Sequence, residues 1–297
     1  MGASEIARDK GYSRYFLGKM AYPIPEGKTF LSPKWAKTLG VPDRGGVFNA
    51  WAYAKSIGLP VFVKPNSLSR GVGVSKAEAR TDFYRAAAEA MRHDKVIVVE
   101  RALPGRDYRL VVLNGCVISA YERKPLSVAG DGRSTIGQLL DGQQREFRLG
   151  DRDTIIDKSD FRLLANLRKC GLKFSTVLER GYQVRLLDNA NLSAGGTSTD
   201  VTGKVHPLFS HLVKRIAHDM GLRLVGVDLI VDGSLSEAPR EGKHWVIEVN
   251  SAPGLDHYAS MGEKQRHIVD DLYLQVVVAM ERAQEATMPL AAPRPDA

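Results

Sequence analysis

The sequence predicts an α+β protein in two parts: a small α/β unit over residues 27–99, then a larger α+β unit over 100–285 built on an antiparallel sheet. Three observations carry this. Before residue 100, short apolar runs of strand type alternate with amphipathic helical stretches. After it, strand-like runs follow one another across Asn114-Gly115, a two-residue signal for a hairpin. The length, 297 residues with 43% hydrophobic composition, allows more than one buried core.

The elements follow in order. Residues 4–18 read as one helix closed by Gly18, within an N-terminal helical arm over 1–26, and "YPIPEG" forces an extended exit. Val47 to Ile57 is a helix ended by Gly58; "VFVKP" is a strand and "NSLSRGVGV" a glycine-containing loop. "TDFYRAAAEAMRHD" is a helix with Thr81 or Asp82 as its N-cap, and "KVIVVE" a strand. "DYRLVVLNGCVISAYER" is the hairpin, and 131–182 is more helical, with "TIGQLLDGQQREF" and "KSDFRLLANLRKCG" as amphipathic stretches. "YQVRLL" returns to strand, "HPLFSHLVKRIAHDMGL" is a helix ended by Gly221, and "RLVGVDLIVDGS" pairs with "KHWVIEVN". A helix from Lys264 to Arg282 closes the fold, and 286–297 reads as a disordered tail. There is no internal repeat.

The formal charge of +8 and a pI near 9.4 imply anionic partners. Basic residues are interleaved with acids and never run to five, so a dedicated nucleic-acid surface has no support. The charged N-terminus is no secretory signal, Ile6 breaks a myristoylation pattern, and "LQVVVAM" is too short to span a bilayer. Cys116 and Cys170 suggest neither a disulfide framework nor a thiolate metal site. A reducing cytoplasm, with no membrane partner, is the expected setting.

Three groups of residues could carry chemistry. Strand side chains alternate faces, so Glu248 and Asn250 point the same way, and Asp228 sits amid apolar residues on the strand expected to pair with them. An all-oxygen set of this kind is either a seat for a hard cation or a hydrogen-bond cluster at a strand edge. Lys64 ends an apolar strand and precedes a loop, Ser67 to Gly73, containing Arg70, Gly71 and Gly73. That loop either wraps phosphate oxygens with backbone amides or is an ordinary hairpin, and it is not a Walker motif. Glu100 and Asp107 flank a Pro-Gly turn; they are solvated loop acids or the polar ends of an adenosine pocket walled by Val98, Val99, Ala102 and Leu103.

In order and spacing, five segments resemble the ATP-grasp superfamily of carboxylate-amine ligases, above all the ATP-grasp portion of cyanophycin synthetases and bifunctional glutathione synthetases. They are "GRDYRLVVLNGCVISAYER", "GDGRSTIGQLL", "NLSAGGTSTDVTGKVHP", "GVDLIVDG" and "EVNSAPGL", within a likeness that covers about residues 9–258. The resemblance implies an ATP-grasp fold whose N-terminal pre-grasp domain is lacking or truncated. It gives Lys64 the α- and β-phosphates and the Ser67–Gly73 loop the γ-phosphate, and places Arg14 where relatives carry a second phosphate-contacting lysine. Glu100 and Asp107 match the adenine hinge and ribose positions, and Asp228, Glu248 and Asn250 the ligands of Mg²⁺, two ions being expected, with Mn²⁺ able to replace them. Arg109, Arg123 and Arg185, with Asn250 as the catalytic set, border the phosphate and acyl-substrate pocket, or else are strand-surface ion pairs. The Asn191–Thr197 loop cradles the acyl phosphate or acceptor, and His257 is structural or substrate-binding.

The reaction so implied joins a carboxylate, from an amino acid or peptide, to an amine through an acylphosphate, releasing ADP and phosphate. An ATP-grasp phosphotransferase and a non-catalytic nucleotide- or nucleic-acid-binding module are the alternatives. A homodimer or a partner domain is compatible with either.

Overall fold

The computed structural model describes residues 2–42, 45–150 and 152–287. In chain order the elements are α1 (Ala3–Arg8), α2 (Lys10–Lys19), β1 (Gly27–Leu31), α3 (Pro33–Thr38), α4 (Val47–Ile57), β2 (Val61–Pro65), β3 (Ser75–Ala77), α5 (Arg80–His93) and β4 (Val96–Arg101). Then come β5 (Arg106–Leu113), β6 (Cys116–Lys124), β7 (Ser127–Ala129), α6 (Ile136–Leu149), α7 (Phe161–Lys169), β8 (Gln183–Arg185) and β9 (Thr197–Asp200). The chain continues through α8 (Pro207–Asp219), β10 (Leu224–Val231), β11 (His244–Asn250), α9 (Asp256–Ala259) and α10 (Glu263–Thr287).

The first helix expected from the sequence is two. Asp9 adopts an extended conformation, φ −91° and ψ 111°, and caps α2 by accepting the Tyr12 amide at 2.9 Å. The same carboxylate accepts Asn66 Nδ2 at 2.7 Å, a tertiary bond that outweighs the helical pattern of the segment. The arm packs on the larger sheet: Ala7, Leu17 and Tyr22 share a core with Leu110, Val112 and Phe209, and Pro23 O accepts the Val246 amide at 2.7 Å.

A four-stranded sheet, order β1-β4-β2-β3 with every pair antiparallel, carries α4 and α5 on one face. The cap of α5 falls on Ala79, without a side-chain bond, rather than on Thr81 or Asp82. The buried stripe Phe83, Ala86, Ala87 and Ala90 sets the helix phase, and Asp82 lies in the first turn, where its charge suits the helix dipole.

The larger sheet has five antiparallel strands, order β11-β10-β5-β6-β9. Asn114 and Gly115 turn β5 into β6, both with positive φ, 48° and 76°, as a type I′ turn requires. One face of this sheet is covered throughout and the other at its Val111–Leu113 end, which explains the nearly continuous apolar reading of its strands there. Leu110, Val112, Val225 and Val227 face α8, whereas Val111, Leu113 and Tyr121 pack with Leu255, Tyr258 and Leu272 from the α9 and α10 side. A separate small core joins the β7-β8 pair to α6 and α7 through Leu126, Ile136, Leu140 and Leu163. Both cysteines are free and exposed. Among the described residues no helix is long and apolar enough to cross a membrane. Helix α10 reaches Thr287, beyond the expected start of the tail at 286, and 288–297 of that tail lie outside the described residues.

Candidate active site

Between the two larger sheets lies a cavity of about 720 Å³. Its floor is built by register. Glu248 on β11 stands opposite Asp228 on β10, Asp228 opposite Arg109 on β5, Arg109 opposite Tyr121 on β6, and Tyr121 opposite Asp200 on β9. Directly paired antiparallel residues share a face, so each of the five strands contributes one polar or aromatic side chain to a single row. A bulge between Asp228 and Leu229 leaves Ile247 unpaired, and both Ile247 and Glu248 line the cavity. Asn250, opposite Gly226, extends the same face. Val249 points into the core beneath.

The row is a charge network. Asp228 is 2% exposed; its carboxylate accepts Arg109 Nε at 2.6 Å and Nη2 at 2.8 Å, and Arg123 Nη2 lies 2.9 Å away. Burial works to raise the Asp228 pKa, but the two guanidinium groups outweigh it and hold the carboxyl below its ordinary range. Arg123 also donates to Asp107 at 2.7 Å. Burial pushes the Asp107 carboxyl up, and Arg123, shared with Asp228, offsets this only in part. Arg109 and Arg123 are thus ion-paired, yet both line the cavity.

Across the cavity, Glu100 is 3% exposed and holds two cations, the Lys64 ammonium in direct contact and Arg14 Nη1 at 3.1 Å. Arg14 also donates to Pro25 O at 2.7 Å and is absent from the cavity wall. The cation that α2 places on the wall is Lys10, which the sequence reading did not single out. It lies 3.1 Å from Glu248 Oε1 and donates to Leu68 O at 2.5 Å, joining β11 to the glycine loop. Lys10 and Arg14 sit one helical turn apart in "DKGYSR", so the basic character of that motif was the only available signal.

Within the loop, Ser69, Arg70 and Gly71 line the cavity, whereas Ser67 and Gly73 do not. The Ser67 amide is taken by Asp94 at 2.7 Å, and Gly73 packs on Pro65. Gly71 has φ +68°, and a Cβ there would stand 2.6 Å from the side-chain amides of Asn189 and Asn191, so only glycine fits. Arg162 on α7 donates to Gly71 O at 3.0 Å and Val74 O at 2.8 Å, fastening the loop to the small helical layer.

On the remaining wall Arg185 turns its guanidinium onto its own chain, donating to Leu187 O at 3.0 Å and to Asp188 O. Of the Asn191–Thr197 loop, Asn191, Leu192 and Ser193 reach the cavity; Arg152 and Thr154 brace it by donating to Gly196 O at 3.0 Å and Leu192 O at 3.1 Å. His257 lines the cavity as well. Burial, then the Arg152 charge, pushes its pKa below the usual imidazole value.

The oxygen set can be tested as a cation seat. Among the described residues no three His, Cys, Asp or Glu side chains gather as a metal cluster. The set is two carboxylates and an amide, and one amide atom of Asn250, Nδ2, is buried with no hydrogen-bond partner. A carboxamide can present either end, so that position suits an oxygen facing a hard cation. Glu248 and Asn250, with Asp228 behind them, fit an ion that takes its other ligands from water and substrate.

Known proteins are similar to this chain over most of its length. The family model described as D-ala D-ala ligase C-terminus matches residues 48–127. Cyanophycin synthetase of Crocosphaera subtropica is 31% identical over 260 residues, 85% of this chain and 28% of the relative. The glutathione biosynthesis bifunctional protein of Clostridium perfringens is 30% identical over 201 residues, 66% of this chain and 26% of the relative. The chain therefore spans about a quarter of the length of these relatives. A bifunctional glutathione synthetase structure from Pasteurella multocida superposes with a TM-score of 0.53 at 24% identity, covering 92% of this chain and 36% of that one. The VanG D-Ala:D-Ser ligase structure from Enterococcus faecalis gives 0.51 at 14% identity, with 91% and 62% covered.

Proposed function

We propose that the chain is an ATP-grasp carboxylate-amine ligase, joining a carboxylate, from an amino acid or peptide, to an amine, with ATP as co-substrate and an acylphosphate between the two steps. One observation carries this reading: a single cavity brings the cations Lys10 and Lys64 over the same space as Glu248 and Asn250. Lys10, Lys64 and the Ser69–Gly71 backbone neutralise the phosphates, where negative charge is moved during transfer. Ala102 and Leu103 wall the adenine, and Glu100 and Asp107 offer acceptors for its amino group and the ribose hydroxyls. A divalent cation such as Mg²⁺, held by Glu248 and Asn250 with Asp228 behind, supplies further neutralisation of the phosphoryl oxygens. Arg109 and Arg123 hold the substrate carboxylate beside the row, and the loop tied by Arg162 keeps water away.

The test is release of ADP and phosphate from Mg²⁺-ATP against a panel of amino acids, dipeptides and dicarboxylates, with mass spectrometry of the products. A condensed product that falls at least about 100-fold in Glu248→Gln is the expected result. A phosphorylated product lacking a new amide would overturn the ligase reading in favour of phosphotransfer.

A further inference from the structure

Among the described residues, three cavity-lining side chains carry a buried polar atom with no hydrogen-bond partner: Asn250 Nδ2, Asn189 Nδ2 and His257 Nδ1. Buried polar groups in folded proteins are almost always paired, so these atoms mark where a ligand completes the set. Asn250 belongs to the cation seat, which leaves Asn189 and His257. His257 stands at the phosphate-loop end of the cavity. The charges around it are Arg70 of that loop, Arg152 and Asp153 of the segment after α6, and Asp256 beside it on α9.

We propose that His257 is the general base of the amide-forming step, accepting at Nδ1 the proton that the attacking amine must lose. The inference rests on the ligase reading above. The neutral amine nitrogen attacks the carbonyl carbon of the acylphosphate and a C–N bond forms. Its N–H proton passes to Nδ1, the C–O bond to phosphorus-bound oxygen breaks, and phosphate leaves with that electron pair. The imidazolium then returns its proton to solvent or to the departing phosphate, so atoms and charges balance. Two features suit the role. Burial and Arg152 keep the imidazole unprotonated at neutral pH, as a base must be. Asp153 and Asp256 set negative charge beside it, which draws in an amine and favours the imidazolium formed in the step.

Hydroxylamine separates the two half-reactions, because its nitrogen is unprotonated near neutral pH and attacks acylphosphates without a base. With the carboxylate identified by the substrate panel, hydroxamate and amide are measured in parallel for the wild type, His257→Gln and His257→Asn. The expected result is a fall of about 100-fold in the ratio of amide to hydroxamate for both variants, with loss of the acid limb of the pH profile for amide formation. Equal loss of both products in folded variants, or an unchanged ratio and pH profile, would overturn the assignment. Wild-type protein that yields hydroxamate with none of the carboxylates would sink the ligase reading itself, a failure distinct from either of these.

Discussion

Replacing Arg109 by Met tests the charge network on the floor of the cavity. In the wild type two guanidinium groups, Arg109 and Arg123, face two carboxylates, Asp107 and Asp228, and the cluster is neutral. Arg109→Met removes both short contacts to Asp228 and leaves one guanidinium for two carboxylates, the buried Asp228 and the half-buried Asp107. An uncompensated buried charge of this kind costs about 3–5 kcal/mol. For a chain of this size that corresponds to a fall in Tm of roughly 6–10 °C. Removing the carboxylate as well, in Arg109→Met/Asp228→Leu, restores neutrality through the Arg123–Asp107 pair, so the double variant should recover about 1–3 kcal/mol over the single one. Urea unfolding followed by circular dichroism, with calorimetry in parallel, measures both. An Arg109→Met variant within about 1 kcal/mol of wild type, or a double variant no more stable than it, would refute the buried-network account.

Other substitutions give equally definite outcomes. Gly105 has φ +125° and a Cβ there would stand 2.4 Å from Val231 O, so Gly105→Ala should cost at least about 2 kcal/mol in thermal or urea unfolding, and a loss under about 0.5 would contradict that geometry. Lys10→Met should weaken ATP binding about tenfold or more by calorimetric titration, as loss of one charged contact to phosphate implies, while Arg14→Met should act chiefly on stability. The half-buried Asp131 accepts the Ser134 amide and hydroxyl and the Arg133 amide, which hold its carboxyl down to about 2. A depressed folded pKa means that its contribution is present above the unfolded value and lost as pH falls through about 2. Carbon-13 titration of its carboxyl should show that low midpoint, and Asp131→Asn should flatten this part of the acid unfolding curve.

Local signals in the sequence reached the hairpin at Asn114-Gly115, the helix Val47–Ile57 and the common face of Glu248 and Asn250, because turn chemistry and side-chain alternation are properties of neighbouring residues. Long-range pairing was out of reach. Nothing near Asp228 in the chain indicates that Arg109 and Arg123 neutralise it, since that depends on the registers of β5, β6 and β10. The choice between Lys10 and Arg14 had the same limit: both belong to one basic helical turn, and it is tertiary contact with Glu100 and Pro25 O that holds Arg14 off the cavity wall. The break at Asp9 was hidden for a related reason, its partner Asn66 lying on the strand-to-loop junction of another element.

Arg162 gives the protein a second place from which its tempo can be set. The carbonyls it grips lie 91 and 88 residues earlier in the chain, on the loop over the cavity mouth. Lifting that loop means parting both bonds or dragging the start of α7 along, so the small helical layer works as a rein on the door. Variation in α7 would then speed or slow the entry and exit of nucleotide while every atom that touches it stays in place.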